Sequence, residues 1–428
     1  MLVVVLSFII LLSFLALSVP VASSIAGVSV IIGTFFSDYP IFSSIGELTW
    51  STSTEYILLS IPFFVLLGEL LLHSGMAKKI YYSINVWLSW LPGGLMHSNI
   101  AASTVFSSIS GSSVATAATI TTVAMPEGKK YGYEEGLFAG SIAAGGTLGI
   151  LIPPSLNLII YGFLTNTSIP GLFLAGLIPG IVLALLFMLY IYIQDKYKGS
   201  SKKEIKTYTW KEKFVELKNL IPILLLFILI MGTIYTGLAT PTESAAIGLL
   251  GALVIIYSYK LLTKEVLIKS IKGTMKTTGM IMLIILAASF LNFVLISVGL
   301  IDEIEYFLED LNISKYMFLF VITIMFIILG LFIETLSLMV ITIPIVAPIA
   351  IGMGFDGIWL GIYLIILIEM ALITPPVGLN LYVVQSIRKS GNVVDVMKGC
   401  IPFVLIMCLM AFLLVIFPQI SLYLVQFV

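Results

Sequence analysis

Two proline pairs interrupt apolar segments that are long enough to cross a membrane. One pair begins at Pro153, within the segment 135–164, and the other begins at Pro375, within the segment 357–387. Proline has no backbone N–H to bond the carbonyl one turn earlier, so each pair breaks a helix and frees carbonyl oxygens. Such groups are costly in lipid, and we predict that both breaks line a cavity inside the protein.

The freed carbonyls predict binding chemistry. They belong to Gly149 and Ile150 in the first break and to Ala371 and Leu372 in the second. Backbone oxygens with Ser and Thr hydroxyls nearby suit a small hard cation such as Na⁺, whereas the N–H groups that begin the next half-helix suit a carboxylate. The candidate site contains no Lys or Arg, so bound Na⁺ and helix dipoles would balance the charge of an anion. We therefore predict two Na⁺ pockets that flank one anion pocket.

The two breaks lie at matching positions of an internal repeat. Residues 135–154 and 356–376 share one pattern at an offset of 221–223 residues, and the amphipathic stretches 76–90 and 300–312 also match. The first amphipathic stretch is basic and the second is acidic, as expected if the two copies face opposite sides of a membrane. Broken helices at corresponding places in two repeats are typical of the substrate site of a secondary transporter.

The composition excludes a soluble globular protein, because 60% of the residues are apolar, 10% are charged and the mean hydropathy is +1.15. The sequence has no phosphate-binding glycine loop and no Cys/His cluster, which argues against ATP hydrolysis and against a structural metal site. We predict an all-α polytopic membrane protein with ten crossings. These crossings are 2–19, 20–36, 56–74, 135–164, 171–194, 219–238, 241–260, 277–298, 357–387 and 400–425.

The basic residues predict the orientation. Five crossings in each half require the second half to be inverted relative to the first. With the N-terminus outside, 20 of the 21 Lys and Arg residues fall on the cytoplasmic side, and Lys315 is the exception. The chain then consists of a first inverted repeat, 1–194, a basic cytoplasmic linker, 195–218, and a second inverted repeat, 219–428. Both termini are predicted to be periplasmic.

Two further apolar segments, 94–125 and 314–350, must enter and leave the membrane on the same side if the charges are to remain consistent. Each has a polar centre, at 107–113 and at 330–337. We predict two re-entrant hairpins with their tips near the middle of the membrane. The first would open to the cytoplasm and the second to the outside.

Candidate ligands are assigned from these positions. The predicted Na⁺ residues of the first pocket are Ser110, Gly111, Gly146, Gly149 and Pro153. The predicted Na⁺ residues of the second pocket are Gly330, Glu334, Thr335, Thr374, Pro376 and Gly378. The predicted substrate residues are Ser112, Ser113, Ser155, Asn157 and Asn380.

Each assignment has a structural alternative. A proline pair can be a simple kink, and a Ser-rich stretch can serve close packing of helices. Asn157 and Asn380 can join helices by hydrogen bonds, and Glu334 can cap the second helix of its hairpin. Glu69 and Glu369 also lie in apolar runs, where each is either a scaffold hydrogen-bonding group or a site for a proton or cation.

Six short motifs occur in order along nearly the whole chain. They lie at 61–70, 91–94, 109–115, 149–155, 241–243 and 374–380. In this order they resemble the large membrane subunit, of the DctM type, of tripartite ATP-independent periplasmic (TRAP) transporters. Many members have Ala and Asp after the Ser-Gly-Ser of the first hairpin, whereas this chain has Ser-Val-Ala-Thr at 113–116.

The resemblance implies a non-enzymatic, Na⁺-coupled importer of an organic acid in a bacterial inner membrane. It implies an elevator mechanism, in which the hairpins and broken helices move together against a scaffold. It also implies two partners, a small four-helix membrane subunit on a separate chain and a periplasmic substrate-binding protein. About two or more Na⁺ ions and no organic cofactor are expected.

The substrate follows less directly from the resemblance. Family substrates include sialic acid and C4-dicarboxylates, and hydroxyl-rich tips without basic residues favour a polyhydroxylated monocarboxylate. We therefore predict sialic acid (N-acetylneuraminate), with a C4-dicarboxylate as the alternative. A stand-alone Na⁺/dicarboxylate or citrate symporter with similar hairpins is a further alternative, and it would work without a binding protein. A membrane-embedded enzyme is disfavoured because all six aspartates fall outside the predicted apolar core.

Overall fold

The computed structural model describes residues 2–198 and 208–427, and these two ranges contain helices and no strands. In the first half the helices are α1 (Leu2–Ala16), α2 (Val21–Phe36), α3 (Ile41–Ser53), α4 (Ser60–His73), α5 (Met76–Leu88), α6 (Leu95–Ser110), α7 (Ser113–Tyr131), α8 (Glu135–Leu151), α9 (Leu156–Thr165) and α10 (Ile169–Lys198). In the second half they are α11 (Trp210–Tyr235), α12 (Pro241–Ser258), α13 (Lys264–Ser297), α14 (Leu300–Asp310), α15 (Lys315–Gly330), α16 (Thr335–Gly352), α17 (Gly357–Ala371), α18 (Leu379–Arg388), α19 (Val393–Ile416) and α20 (Gln419–Leu422).

Seven helices of the described ranges are long and apolar enough to span a membrane, and the bent pair α8–α9, with an angle of 42°, makes an eighth candidate. Seven of the ten predicted crossings are among these eight candidates, and the eighth candidate, α16, belongs to the second predicted hairpin. The difference lies in shorter apolar helices such as α1 and α2, which have 15 and 16 residues. A straight crossing needs about 20 residues, so these two helices are short for the bilayer core.

Several boundaries differ from those predicted. Helix α13 is one continuous helix of 34 residues, although the sequence predicted a crossing only over 277–298. Helix α19 begins at Val393 rather than near residue 400, because Asn392 and Asp395 form a capping box. It ends at Ile416 and not at 425, where Pro418 follows and has no N–H to continue the helix.

The basic linker predicted over 195–218 is shorter in the structure. Residues 195–198 belong to α10 and residues 210–218 belong to α11, whose first turn is capped by Thr209 together with Glu212. Residues 199–207 lie outside the described ranges. The cap at Thr209 explains the early start of α11, since it bonds backbone N–H groups that a helix start otherwise leaves unpaired.

The predicted hairpins correspond to two closely connected helix pairs. Helices α6 and α7 are joined through Gly111, whose φ of +61° a non-glycine residue adopts only with strain. Helices α15 and α16 are joined by the short segment 331–334. Helices α5 and α14 occupy the two predicted amphipathic stretches. Their re-entrant and surface placement, like the inverted relation of the halves, stays a prediction.

The helices pack in two groups. In one group α13 packs against α2 and α4, and α12 packs against α4 and α11. In the other group α8 contacts α6, α7 and α19. The backbones of α8 and α19 touch where Gly140 meets Gly399, and a Cβ on either glycine would overlap the other helix. Helices from both halves of the sequence thus surround the two helix breaks, between α8 and α9 and between α17 and α18.

Candidate functional site

A cavity of about 820 Å³ lies between the two hairpin tips. Its walls come from the start of α2, the middle of α13, the starts of α9 and α18, and the tips α6–α7 and α15–α16. Its polar lining residues are Ser23, Ser112, Ser113, Asn157, Thr277, Glu334, Thr335 and Ser337. The cavity therefore joins elements that are distant in the sequence around a set of oxygen-bearing and amide side chains.

At the first tip, serine hydroxyls are used to build the turn. Ser112 caps α7 by accepting a hydrogen bond from the Ala115 N–H at 3.3 Å. Ser110 lies 3.0 Å from the Thr116 hydroxyl. The Ser113 hydroxyl accepts a hydrogen bond from Nδ2 of Asn380 at 3.0 Å. The tip is thus a folded polar turn and not only a close-packed seam of small residues.

At the second tip, Glu334 caps α16. One carboxylate oxygen accepts hydrogen bonds from the Ser337 N–H at 3.3 Å and from the Ser337 hydroxyl at 3.1 Å. The capping alternative is therefore what the structure shows. Both bonds use Oε2, Oε1 has no hydrogen bond in the described ranges, and the residue lines the cavity.

At the first helix break, between α8 and α9, two backbone carbonyls lack hydrogen bonds, as the sequence predicts. Helix α8 ends with the Ile152 N–H bonded to the Leu148 carbonyl at 3.1 Å. In the described ranges, no hydrogen bond reaches the carbonyls of Gly149 or Ile150. The next helix, α9, starts directly with Ser155 as its cap, which accepts from the Leu158 N–H at 3.4 Å. Two acceptors thus remain unused at this break.

The second break does not have open carbonyls, and that prediction is wrong. The Ala371 carbonyl accepts from the Thr374 N–H at 3.2 Å, and the Leu372 carbonyl accepts from the Asn380 N–H at 3.1 Å. Seven residues, 372–378, separate α17 from α18, whereas four residues, 152–155, separate α8 from α9. The longer connection folds into a tight turn that brings other N–H groups to the two acceptors.

The predicted site residues separate into two sets. Those that line the cavity are Gly111, Ser112, Ser113, Asn157, Glu334 and Thr335. Those that are not part of its lining are Ser110, Gly146, Gly149, Pro153, Ser155, Gly330, Thr374, Pro376, Gly378 and Asn380. Several of the second set have packing roles. A Cβ on Gly149 would overlap Ser107, and a Cβ on Gly330 would overlap Ala371.

Sequence reasoning missed three polar lining residues, Ser23, Thr277 and Ser337. Ser337 follows Glu334 by three residues, which is the spacing of a helix cap and its partner, so its proximity to the site was readable. Thr277 lies inside the long α13 and Ser23 at the start of α2. Only the packing of these helices against the hairpin tips reveals their place.

The electrostatic character of the cavity is simple. Among the lining residues of the described ranges, Glu334 is the ionisable one, and none is Lys or Arg. Asn157 is 2% exposed, and its Nδ2 has no hydrogen-bond partner in the described ranges. Its amide nitrogen is thus a buried donor without a partner, on a residue that lines the cavity, and an anionic or carbonyl oxygen would satisfy it.

The family of the chain follows from comparison with known proteins. The sequence model of the protein family described as the DctM component of the tripartite ATP-independent periplasmic transporter matches residues 8–420. The chain belongs to the TRAP transporter DctM family. This finding confirms the resemblance that the motifs indicated. It also makes the chain a multi-pass membrane transporter of a family whose members are permeases and not enzymes.

Two relatives illustrate the range of substrates in the names of similar proteins. The C4-dicarboxylate TRAP transporter large permease protein DctM of Vibrio cholerae is 34% identical, over 98% of this chain and 96% of the relative. The sialic acid TRAP transporter large permease protein SiaM of the same organism is 31% identical, over 86% of this chain. The greater similarity to the dicarboxylate permease does not favour the predicted preference for sialic acid.

A solved structure shares the fold. The YdaH transporter of Alcanivorax borkumensis superposes with a TM-score of 0.64 at 12% sequence identity and covers 97% of both chains. At this identity the likeness concerns the architecture of the helices. The two proteins share an arrangement of apolar helices.

Proposed function

We propose that this chain is the transport subunit of a Na⁺-coupled TRAP importer of an organic acid anion. The observation that carries the proposal is the cavity between the hairpin tips, in a chain of the DctM family. It offers the unpaired Asn157 amide as a donor to an anion and has no Lys or Arg in its lining. An anion therefore needs a bound cation for charge balance, and this requirement physically links transport to Na⁺.

A C4-dicarboxylate is the first substrate class to test. The Vibrio cholerae and Pseudomonas aeruginosa relatives at 34% identity are both described as C4-dicarboxylate permeases. Sialic acid is the second candidate, supported by the hydroxyls of Ser112, Ser113, Thr335 and Ser337 around the cavity. These groups match the several hydroxyls of a sugar acid, whereas a C4-dicarboxylate offers mainly two carboxylates.

The transport cycle is proposed to use the elevator mechanism. The hairpin tips and the two broken helices form one body around the cavity, and α2 and α13 form the opposing wall. A periplasmic binding protein would deliver the anion, and a small four-helix membrane subunit would extend the scaffold. Two inverted repeats, with both termini periplasmic in a bacterial inner membrane, are part of the same proposal.

The decisive experiment is uptake into proteoliposomes that contain this chain and its small subunit. Labelled succinate and labelled sialic acid are each tested with an inward Na⁺ gradient, with and without the cognate binding protein. We expect uptake of one substrate to require both Na⁺ and the binding protein. Uptake by this chain alone would instead indicate a stand-alone symporter, and uptake that is independent of Na⁺ would contradict the coupling.

Variants of the lining test the site itself. Ser112→Ala and Asn157→Ala remove the first tip's cap and the free amide donor, and we expect each to raise the KM for substrate. Ser258→Ala, on an exposed residue near the end of α12, is the control. Normal uptake by both lining variants, at expression equal to that of the control, would show that the anion binds elsewhere.

A further inference from the structure

Glu369 is a buried acid that the transport cavity does not use. It lies two residues before the end of α17 and is 1% exposed. Neither of its carboxylate oxygens has a hydrogen-bond partner in the described ranges. An ionised carboxylate in the apolar interior of a membrane protein is strongly disfavoured unless a cation or proton neutralises it.

The surroundings of Glu369 supply no positive side chain. No ion pair of the described ranges includes it. The Ser113 hydroxyl lies close to its carboxylate without reaching hydrogen-bond geometry, and the Glu334 carboxylate is near enough to act on it electrostatically. Since a second carboxylate adds like charge, the need for a positive partner is greater than for an isolated acid.

Ser113 connects Glu369 with a second unsatisfied group. The Asn380 side chain donates through Nδ2 to Ser113 Oγ at 3.0 Å and to the Ala143 carbonyl at 3.4 Å. Its own Oδ1 is buried and has no partner in the described ranges. The Glu369 carboxylate of α17 and the Asn380 amide of α18 thus both lie next to the Ser113 hydroxyl of α7.

Gly146 of α8 packs closely against this group. A Cβ at Gly146 would lie 3.1 Å from the Ser113 carbonyl oxygen and 3.4 Å from Asn380 Nδ2. The Ser113 carbonyl therefore lies beside the group, and the Ala143 carbonyl accepts from Asn380 Nδ2. Oxygen-only donors with a single carboxylate suit a hard monovalent cation better than a divalent ion, which usually recruits more negative charge.

We propose that Glu369, with Ser113 and Asn380, holds a Na⁺ ion at a third site, separate from the two pockets predicted at the helix breaks. The proposal rests on the proposed Na⁺ coupling and adds a place where one ion is held by a full negative charge. Because Ser113 also lines the cavity, an ion at Glu369 would tie substrate binding to cation binding through one side chain.

The test uses the purified complex of this chain with its small subunit. Thermal unfolding is followed over a NaCl titration in which choline chloride keeps the ionic strength constant and no substrate is present. Na⁺-driven uptake gives the Hill coefficient in parallel. We expect Glu369→Gln to raise the Na⁺ concentration for half-maximal stabilisation at least about tenfold and to lower the Hill coefficient by about one.

Two further variants keep the result interpretable. Glu309→Gln, on an exposed residue of α14, is the matched control and should behave as the unmodified chain does. Glu369→Asp keeps the charge, so we expect an unchanged Hill coefficient and a higher Na⁺ concentration for half-maximal stabilisation. If Glu369→Gln does not fold, this variant is used for the test instead.

The outcomes separate this inference from the proposed function. If the unmodified complex responds to Na⁺ and Glu369→Gln responds equally, the third site is absent and the coupling stands. If Glu369→Gln keeps its Na⁺ response but loses a pH dependence of uptake, Glu369 carries a proton and the Na⁺ assignment is wrong. If the unmodified complex shows no Na⁺ response at all, the coupling itself fails together with the site.

Discussion

The two helix breaks both contain a proline pair, but their backbone hydrogen bonds differ. At the first break the carbonyls of Gly149 and Ile150 have no hydrogen-bond donor in the described ranges. At the second break the carbonyls of Ala371 and Leu372 are both bonded to backbone N–H groups of the turn. A proline pair removes the helical donor in each case, but a longer connection can supply another one.

This difference teaches that a broken helix is not automatically an ion site. The first break keeps two backbone acceptors without hydrogen bonds, whereas the acceptors near the second are side chains, such as Oε1 of Glu334, which has no hydrogen bond in the described ranges. If both halves bind Na⁺, they do so with different ligand sets. Four predictions test this contrast, and they run from the largest expected effect to the smallest.

The largest effect is expected from closing the space around the first break. A Cβ on Gly149 would overlap Ser107 at three of its atoms, whereas a Cβ on Gly330 would overlap one atom of Ala371. Gly149→Ala should therefore destabilise the protein by about 1–3 kcal/mol, and Gly330→Ala should fall at the lower end of that range. Thermal unfolding in detergent measures both.

Gly279→Ala is the control for this pair, because its Cβ would meet nothing within 4 Å. It should be neutral or stabilising by up to about 1 kcal/mol, as for any helical glycine with free space. Equal losses at Gly149 and Gly279 would mean that close packing does not govern the first break.

We expect Asn380 to contribute to the stability of the protein and Asn157 to contribute to substrate binding. Asn380 makes two side-chain hydrogen bonds, to Ser113 and Ala143, whereas Nδ2 of Asn157 makes none in the described ranges. Asn380→Ala should cost about 2 kcal/mol of stability at about 1 kcal/mol per bond. Asn157→Ala should leave the melting temperature nearly unchanged and raise the KM for substrate. The reverse pattern in unfolding and uptake would refute this division.

The free carbonyls predict an unequal response to restored donors. Pro153→Ala supplies an N–H for the Gly149 carbonyl, and Pro375→Ala supplies one where the Ala371 carbonyl is already bonded. We expect the first change to raise the Na⁺ concentration for half-maximal uptake about tenfold, which corresponds to about 1.4 kcal/mol. The second should raise it less than about threefold. Equal shifts would remove the distinction between the breaks.

The smallest effect concerns how the second half-helices begin. Ser155 caps α9 with its side chain, whereas Gly378 at the start of α18 has no side-chain cap. Ser155→Ala should lower stability by about 1 kcal/mol, and Ser155→Thr should restore most of it. If Ser155→Ala changes the KM and not the melting temperature, the hydroxyl serves the substrate rather than the helix.

Much of the local structure was predictable from the sequence. Helix α12 begins at Pro241, the first residue of the predicted crossing 241–260, where Thr240 and Glu243 form a capping box, and both proline pairs follow the ends of helices. The predicted hairpin and surface segments correspond to helices with nearly the predicted bounds. These features depend on neighbouring residues, on hydrophobic length and on the missing N–H of proline, all of which a sequence displays directly.

Other features depend on contacts that local patterns do not contain. Helix α13 continues through residues that are polar enough to suggest a loop, because α2 and α4 pack along it. Thr277 enters the cavity wall only through that packing. Helix length is likewise not given by apolar composition alone, since α1 and α2 are largely apolar and yet have only 15 and 16 residues.

The sequence by itself determined where the chain must break, which segments are apolar and which family the protein resembles. These properties are covalent or compositional, and no partner residue can change them. Only the tertiary structure decided which acceptors at the breaks remain free and which acids are left without a partner. The Asn380 side chain reaches Ser113 across 267 residues of sequence, and its backbone N–H closes the second break. Hydrogen-bond satisfaction depends on what folding brings within about 3 Å, and no local pattern specifies that.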